Sequence, residues 1–395
     1  MKTDMLATEN SIDTSALIHG LVTSGIPFVV YRLPRRNRFR LLVSYSSFQP
    51  LEKVDFEELP SGFAFAPFNT ALSPVLFLKT DFEREADFDS AQLDISDLKC
   101  HLELPEKQEG FAFEPLASDT LDAAEYQDKV RQVLNRIRSG EARKVVLSRR
   151  KALGRITESN YFGAFKTLNT SHSDAMVSMV YLPHCKQIWL GASPEVLVSQ
   201  DSRGVFTTMS LAGTQSAFDR EGKEIRPVDA LWTHKEIEEQ AIVGRYIINC
   251  LKKIRVREFE EEGPKTVKAG NLLHLRTFYS IDNREVNFPN LSSVMLNLLH
   301  PTPAICGMPR ESAERVIGEI EGYDREFYSG YLGPVNVESE SHLFVNLRTL
   351  KVEDGVAYVY AGGGITEDSQ PDKEWVETEM KMGTVSRAFD NFKDF

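Results

Sequence analysis

The chain has 395 residues, of which 42% are apolar and 26% are charged, as is usual for globular proteins with a large core. Its 58 Asp and Glu outnumber its 46 Lys and Arg, so the net charge is −12, which argues against nucleic acid or an anionic membrane surface as the main partner. The four cysteines lack zinc-ligand spacing, and no apolar run reaches the roughly 18 residues of a membrane helix. The first residues carry no signal-peptide pattern, so we expect a cytoplasmic protein.

Short apolar runs dominate the first part of the chain. Residues 28–31 and 39–45 are predicted strands, and the acidic residues 82–110 are predicted to form an irregular surface connection. Apolar residues then recur with a helical period from Val130 to Ile137, and Gly140 is placed to end that helix.

Strands and helices follow one another without regular alternation in the rest of the chain. Long helices are predicted at about 229–254 and 371–392. This order disfavours the Rossmann and TIM-barrel folds, and we predict an α+β fold with large antiparallel sheets. The further predicted strands are 144–147, 175–181, 187–190, 196–198, 205–208, 343–352 and 356–361.

Glu239 is an acidic residue on an apolar helix face. It shares the stripe of Val243 and Tyr246, whereas Glu238 points toward Arg245 and solvent. A carboxylate that faces a core must be paired, protonated or bound to a metal. A buried salt bridge or a position at the edge of the stripe explains Glu239 without a metal, so the alternatives stay open here.

The last predicted helix repeats this feature. Glu374, Glu377 and Lys381 lie on one face with spacings of three and four residues. The plain explanation is that acids complement the helix dipole and that Glu377 pairs with Lys381. The alternative is that two helices each contribute an inward Glu to an Mg²⁺ site, which takes one or two protein carboxylates together with substrate oxygens and water.

Lys144 and Glu195 each stand beside apolar strand residues. Apolar surroundings raise the pKa of a carboxyl group and lower that of a lysine, which is how enzymes obtain a general acid and a general base near neutral pH. At its reference pKa of about 10.4, Lys144 would be almost entirely protonated at neutral pH, so a base there must be desolvated or repelled by a cation. The simpler explanation is that both are surface charges at strand ends.

Arg348 and a glycine run are candidate anion-binding elements. Arg348 falls within the predicted strand 343–352, where a carboxylate clamp and a surface arginine are both compatible with the pattern. The run AGGGI at 361–365 follows a predicted strand and is either a hairpin turn or a segment whose N–H groups bind an anion.

Ten ordered motifs together resemble the chorismate-utilising enzymes, and among them the isochorismate synthases. The resemblance covers about residues 120–390, and each motif alone would be weak. The motifs are KVVLSR at 144–149, GASPE at 191–195, LAGT at 211–214, KEIEE at 235–239, HLRT at 274–277, HPTPAICG at 300–307, YSG at 328–330, NLR at 346–348, AGGGI at 361–365 and EWVETEMK at 374–381.

The resemblance implies a role for each matching residue. Lys144 would be the general base that activates water for attack at C2 of chorismate, and Glu195 the general acid that protonates the departing C4 hydroxyl. Glu239 and Glu377 would bind Mg²⁺, and Glu374 would support the metal through water. The implied substrate-binding residues are Gly213, Thr214, Ala304, Arg348, Gly362 and Lys381.

Relatives with other chemistry differ at two places in this sequence. Ala212 stands where aminodeoxychorismate synthases carry a nucleophilic lysine, and Lys144 stands where anthranilate synthases generally lack one. Both differences disfavour ammonia chemistry and a glutaminase subunit. The segment 300–307 departs from the pattern of salicylate synthases. A salicylate synthase and a catalytically silent chorismate-binding homologue remain the alternatives.

The resemblance also implies an architecture. The expected fold has orthogonally packed antiparallel sheets flanked by helices. We expect residues 1–115 to be a divergent N-terminal part of the same α+β unit, residues 116–395 to be the chorismate-binding catalytic core, and the protein to be a monomer. The expected product would feed menaquinone or siderophore biosynthesis.

Overall fold

Two large antiparallel sheets and seven helices make up most of the computed structural model, which describes residues 11–89, 92–100, 102, 113–115, 122–219 and 221–387. The helices are α1 (Thr14–Thr23), α2 (Ala123–Arg138), α3 (Tyr161–Ser171), α4 (His234–Lys253), α5 (Leu291–Leu299), α6 (Arg310–Ile320) and α7 (Pro371–Ser386). The strands are β1 (Ser11–Asp13), β2 (Phe28–Arg32), β3 (Arg38–Val43), β4 (Gln49–Leu51), β5 (Gly62–Ala66), β6 (Val75–Lys79), β7 (Phe82–Asp87), β8 (Gln92–Asp94), β9 (Phe113–Pro115), β10 (Lys144–Ile156), β11 (Met176–Leu182), β12 (Gln187–Ser193), β13 (Val196–Gln200), β14 (Val205–Ser216), β15 (Glu260–Ala269), β16 (Leu272–Asp282), β17 (Gly307–Met308), β18 (Tyr331–Val335), β19 (Ser341–Val345), β20 (Thr349–Glu353) and β21 (Val356–Ile365).

The predicted α+β class with large antiparallel sheets is confirmed. The first sheet has the order β17-β10-β21-β20-β12-β11-β2-β3-β7, with β9 beside β10. The second sheet has the order β15-β16-β14-β13-β19-β18-β5-β6-β4, and β1 pairs with β8 in a two-stranded sheet. Neighbouring strands in both sheets run antiparallel.

Strands from the N-terminal part of the chain enter both large sheets. β2 pairs with β11 in the first sheet, and β5 pairs with β18 in the second. The prediction of an irregular segment at 82–110 is wrong for its beginning, because β7 pairs with β3 over six residues. Most of 101–112 lies outside the described residues, and the division at residue 115 stays a prediction. Within the described ranges, no helix is both long and apolar enough for a membrane span.

Alternating apolar residues give each large sheet two buried faces. In β2, Phe28 and Val30 pack toward α1 and α3, whereas Val29 and Tyr31 face a core between the two sheets. This follows from the two-residue period of a strand. On the far side of the second sheet, Val243 of α4 belongs to a separate core that includes α5. The order of layers is therefore helices, sheet, sheet, helices.

The helix predictions hold with one shifted boundary. α2 matches the periodic segment, and Gly140 follows it with φ of +81°, as a residue past a helix C-cap often does. α4 begins at His234 rather than near 229, because Thr233 and Glu236 form a capping box. α7 begins at Pro371 as predicted, and residues beyond 387 lie outside the described part of the chain.

The prediction of one strand over 343–352 is wrong. β19 ends at Val345 in the second sheet and β20 begins at Thr349 in the first. The connection 346–348 crosses between the sheets, and Arg348 has φ of +49° there. The glycine run is also not a turn after a strand, because β21 continues through Ile365 and pairs with β10.

Candidate active site

A cavity lies where the chain crosses between the two large sheets. Its wall comes from β14, β21, the connection 346–348 and the link between β12 and β13. Every lining residue is buried or half-buried. The predicted site residues in its wall are Glu195, Gly213, Thr214, Glu239, Ala304, Arg348, Gly362 and Lys381.

The other three predicted residues lie directly behind this wall. Lys144 contacts Glu239, and Glu377 contacts Lys381. Glu374 approaches the backbone of Gly363 in β21. The structure thus brings the predicted residues together. Lys144 and Glu377 contact residues that line the cavity, whereas Glu374 lies behind Gly363, between the lining residues Gly362 and Gly364.

Lys144 is the first residue of β10 and is completely buried. β10 is paired on both sides, with Lys144 opposite Met308 of β17. Its Nζ lies 2.8 Å from Oε1 of Glu239, but it has no well-aligned hydrogen-bond acceptor among the described residues. The contact is therefore an ion pair that leaves ammonium protons unsatisfied.

Glu195 is a buried carboxyl group at the other crossing between the sheets. It lies between β12 of the first sheet and β13 of the second, and the amide of Val345 donates to its carbonyl oxygen at 2.9 Å. Its exposed fraction is 2%. Burial raises the pKa of Glu195 to about 8, although Lys144, Lys381 and Arg348 oppose this shift. The group is therefore mostly a neutral acid at pH 7.

The three predicted metal-site carboxylates each contact a lysine. Burial raises the pKa of Glu239, but Lys144, Lys381 and Lys235 together outweigh burial and bring this pKa down to about 2. Glu374 is 1% exposed, and burial and Glu377 together raise its pKa. The contacts are Glu239 with Lys144 at 2.8 Å, Glu374 with Lys235 at 2.5 Å and Glu377 with Lys381 at 2.6 Å.

Two glycines of β21 make room for this cluster. A Cβ on Gly364 would lie 2.8 Å from Cε of Lys144 and closer still to Oε1 of Glu239. A Cβ on Gly363 would lie 2.9 Å from Oε2 of Glu374. Such distances are shorter than ordinary van der Waals contact. The run AGGGI therefore lets carboxylates and a lysine approach a strand backbone, a use that the sequence patterns did not predict.

The donor set fits a hard divalent cation. Mg²⁺ usually takes one or two protein carboxylates, with water and substrate oxygens as the other ligands. Glu239 and Glu377 supply such a pair, and Oε2 of Glu374 is a buried oxygen without a hydrogen-bond partner among the described residues. Among the described residues, no three Asp, Glu, His or Cys side chains are close enough together to form a group of metal ligands. The carboxylates of Glu239, Glu374 and Glu377 contact lysines instead.

Arg348 is a buried cation whose contacts are all with neutral groups. Its guanidinium donates to Oγ1 of Thr384 at 3.0 Å and lies 3.3 Å from Nε2 of His274. Burial lowers its pKa to about 10, and no carboxylate in the described ranges lies within ion-pair distance. An arginine placed this way can bind a carboxylate that enters the cavity.

His274 is a site residue to which the sequence analysis assigned no role. Burial, followed by the charge of Arg348, lowers its pKa to about 3, so the ring is neutral. Its Nδ1 donates to the carbonyl of Gly213 at 2.9 Å, which leaves Nε2 as an acceptor toward Arg348. The motif HLRT contained it, but only the fold reveals its contact with residue 348.

Glu238 behaves as its helix position predicts. Its carboxylate lies 2.6 Å from Arg245 and is half-exposed, away from the cluster. The neighbouring Glu239 faces inward from the same helix. The two acids therefore differ in environment although they are adjacent in sequence.

Known proteins resemble this chain in sequence. The sequence profile of the family described as "Chorismate binding enzyme" matches residues 69–390. Isochorismate synthase DhbC of Bacillus subtilis is 28% identical over 278 residues, which are 67% of this chain and 67% of that protein. Isochorismate synthase EntC of Escherichia coli is 31% identical over 207 residues, about half of each chain.

Solved structures share the fold along almost the whole chain. DhbC of Bacillus anthracis superposes with a TM-score of 0.74 at 24% identity and covers 95% of this chain and 99% of its own. The menaquinone-specific isochorismate synthase MenF of Escherichia coli has the same TM-score at 18% identity, with coverages of 96% and 93%. Together with the profile match over most of the sequence, these findings establish that the chain belongs to the chorismate-binding enzyme family.

Proposed function

We propose that this chain is an Mg²⁺-dependent isochorismate synthase, an isomerase that converts chorismate to isochorismate. The main support is the combination of a neutral acid, Glu195, in the wall of the cavity and a fully buried lysine, Lys144, in contact with Glu239 of the same wall. The similarity to curated isochorismate synthases of siderophore and menaquinone pathways agrees with this proposal.

The proposed reaction exchanges one hydroxyl group for another on the same ring. A water molecule forms a bond to C2 while Lys144 accepts its proton, and the ring double bond shifts. The C4–O bond breaks, and the hydroxyl leaves as water with a proton from Glu195. One water enters and one leaves, so the reaction needs no oxidant or reductant.

The substrate is a dicarboxylate, and the cavity offers it two cations. Arg348 has no carboxylate partner within the described ranges, and Lys381 donates to the carbonyl of Gly362 at 2.9 Å as well as to Glu377. Charge-assisted hydrogen bonds from such groups are stronger than neutral ones. We propose that Gly213, Thr214, Ala304 and Gly362 form the rest of the substrate wall.

We propose that Glu239 and Glu377 hold Mg²⁺ and that Glu374 supports it through water. When bound, the metal would supply positive charge for the ring carboxylate of the substrate. The contact between Lys144 and Glu239 stabilises the charged lysine, whereas a general base must be neutral. The base role of Lys144 therefore requires that Glu239 turn to another cation.

Product analysis tests the proposal directly. Purified protein is incubated with chorismate and Mg²⁺, and the products are separated by chromatography. Isochorismate without pyruvate is the expected result, with activity lost in excess chelator and restored by Mg²⁺. Stoichiometric salicylate and pyruvate would assign a salicylate synthase, an aminated product with added ammonium would assign an ammonia-using relative, and no product would assign a silent chorismate-binding homologue.

The cellular context is also a proposal. We propose that isochorismate from this enzyme feeds menaquinone or siderophore biosynthesis, and that the protein acts as a cytoplasmic monomer without a glutaminase subunit. A deletion strain distinguishes the two pathways by whether menaquinone or a siderophore restores growth. Size-exclusion chromatography with light scattering measures the oligomeric state.

A further inference from the structure

Lys235 contacts a proposed metal-site carboxylate but has no part in the proposed reaction. It lies in the first turn of α4, four residues before Glu239, so both side chains leave the same face of the helix. Its Nζ lies 2.5 Å from Oε1 of Glu374, which is 139 residues away in the first turn of α7. One ion pair therefore joins the starts of the two helices that carry the carboxylates.

Lys235 holds only one of the two oxygens of Glu374. The other oxygen, Oε2, is buried and has no hydrogen-bond partner among the described residues. A buried, unsatisfied carboxylate oxygen is unfavourable unless another group or ion compensates for it. This oxygen points at Gly363 of β21, next to Gly364, where β21 approaches Glu239. Lys235 thus fixes which oxygen of Glu374 is directed toward the cluster.

The cluster as a whole is electrically balanced. Each of its three carboxylates has one lysine partner, so the charges of the six groups cancel. A divalent cation together with a dianionic substrate preserves this balance, whereas the cation alone adds two uncompensated positive charges. Lys144 and Lys381 already have proposed roles toward water and substrate. Lys235 is the lysine of this cluster to which the proposed reaction gives no role.

Lys235 does not line the cavity, and its ammonium group is bound to Glu374. We therefore infer that Lys235 acts through this carboxylate and not on the substrate. We propose that Lys235 is a positioning residue that serves as the internal counter-cation of the carboxylate cluster, so that Mg²⁺ binds weakly until the dianionic substrate is present. This inference rests on the proposed function, because it requires both Mg²⁺ and a dicarboxylate.

The test is a calorimetric titration of MgCl₂ into the full-length protein without chorismate. Lys235→Met removes the charge and should tighten Mg²⁺ binding at least about tenfold, because loss of a unit charge near a dication has about this effect even at the dielectric constant of water. Lys235→Arg keeps the charge and should bind Mg²⁺ like the wild type. Lys252→Met removes an exposed charge at the far end of the same helix and should change nothing.

A double variant separates this electrostatic role from a structural one. Lys235→Met/Glu374→Gln restores the charge balance, so Mg²⁺ affinity should return to near the wild-type value. If Lys235 were only a tether, Lys235→Met would weaken Mg²⁺ binding because Glu374 loses its orientation, and the double variant would not recover. Added chorismate should tighten Mg²⁺ binding more in the wild type than in Lys235→Met.

Several outcomes overturn the inference. Unchanged or weaker Mg²⁺ binding by Lys235→Met contradicts it, and so does the absence of Mg²⁺ binding by both proteins. Where wild-type binding is too weak to titrate, measurable binding by Lys235→Met supports it. If the wild type forms isochorismate but Lys235→Met binds Mg²⁺ with wild-type affinity, the proposed function stands and this inference is wrong.

Discussion

Replacing Gly364 by alanine should disable the site while the fold survives. The backbone of Gly364 does not have a positive φ, so alanine is conformationally allowed there. Its Cβ would lie 2.8 Å from Cε of Lys144 and closer to Oε1 of Glu239. Non-bonded carbons keep about 3.5 Å or more, so the lysine must move by about 0.7 Å and the carboxylate farther.

These displacements affect stability and catalysis differently. Both displaced atoms are near the ends of flexible side chains, so the fold can absorb the change for about 1 kcal/mol. Catalysis depends on the same two groups, and misplacement by about 1 Å can cost about 100-fold in rate. We therefore expect Gly364→Ala to lower isochorismate formation about 100-fold with a melting temperature within a few degrees of wild type.

Gly383→Ala is the matched control. Gly383 lies inside α7, and a Cβ there meets no atom within 4 Å. Alanine should stabilise the helix by about 0.5–1 kcal/mol and leave activity unchanged. The assays are chromatography of isochorismate and thermal unfolding. If Gly364→Ala kept more than half of the wild-type activity, the close approach of Lys144 and Glu239 to β21 would not matter for function.

Further predictions concern single groups of the site. Lys144→Ala should lower turnover by about 10²–10⁴-fold, the usual contribution of general-base catalysis, and retention of a tenth of the activity would contradict its role. Because Glu195 must be protonated to act as an acid and its pKa is about 8, the wild-type pH profile should lose the contribution of this acid as the pH rises through 8. Glu195→Gln should be slow at every pH and should lack this titration, and a titration near pH 8 that persists in Glu195→Gln would argue against this acid. Glu239→Ala should raise the Mg²⁺ concentration needed for half-maximal activity, whereas Glu238→Ala should not, since that residue pairs with Arg245 away from the cluster; equal effects in a Mg²⁺ titration would show that both acids serve the same purpose.

Local patterns in the sequence were sufficient for the fold class and for the helices α2, α4 and α7, but they did not predict α1, α3, α5 and α6. The apolar period from Val130 to Ile137 predicted α2, because a helix that covers a core must present one apolar stripe. The same reasoning separated Glu238 from Glu239, which differ by one residue and point in different directions around a helix. The candidate site residues came from the ordered motifs. The chemistry of the enzymes that this chain resembles constrains which residue types stand at those positions.

Contacts between distant segments depended on the tertiary structure. Periodicity indicates which face of an element is buried, but it does not indicate which element covers that face. The segment 343–352 therefore looked like one strand with Arg348 on a half-polar face, although the chain changes sheets there and turns the arginine toward His274. Likewise, nothing near Lys235 in the sequence indicates its partner Glu374, 139 residues away. The sequence determined the residue types of the site, and the packing of two sheets and two helices determined which charges meet.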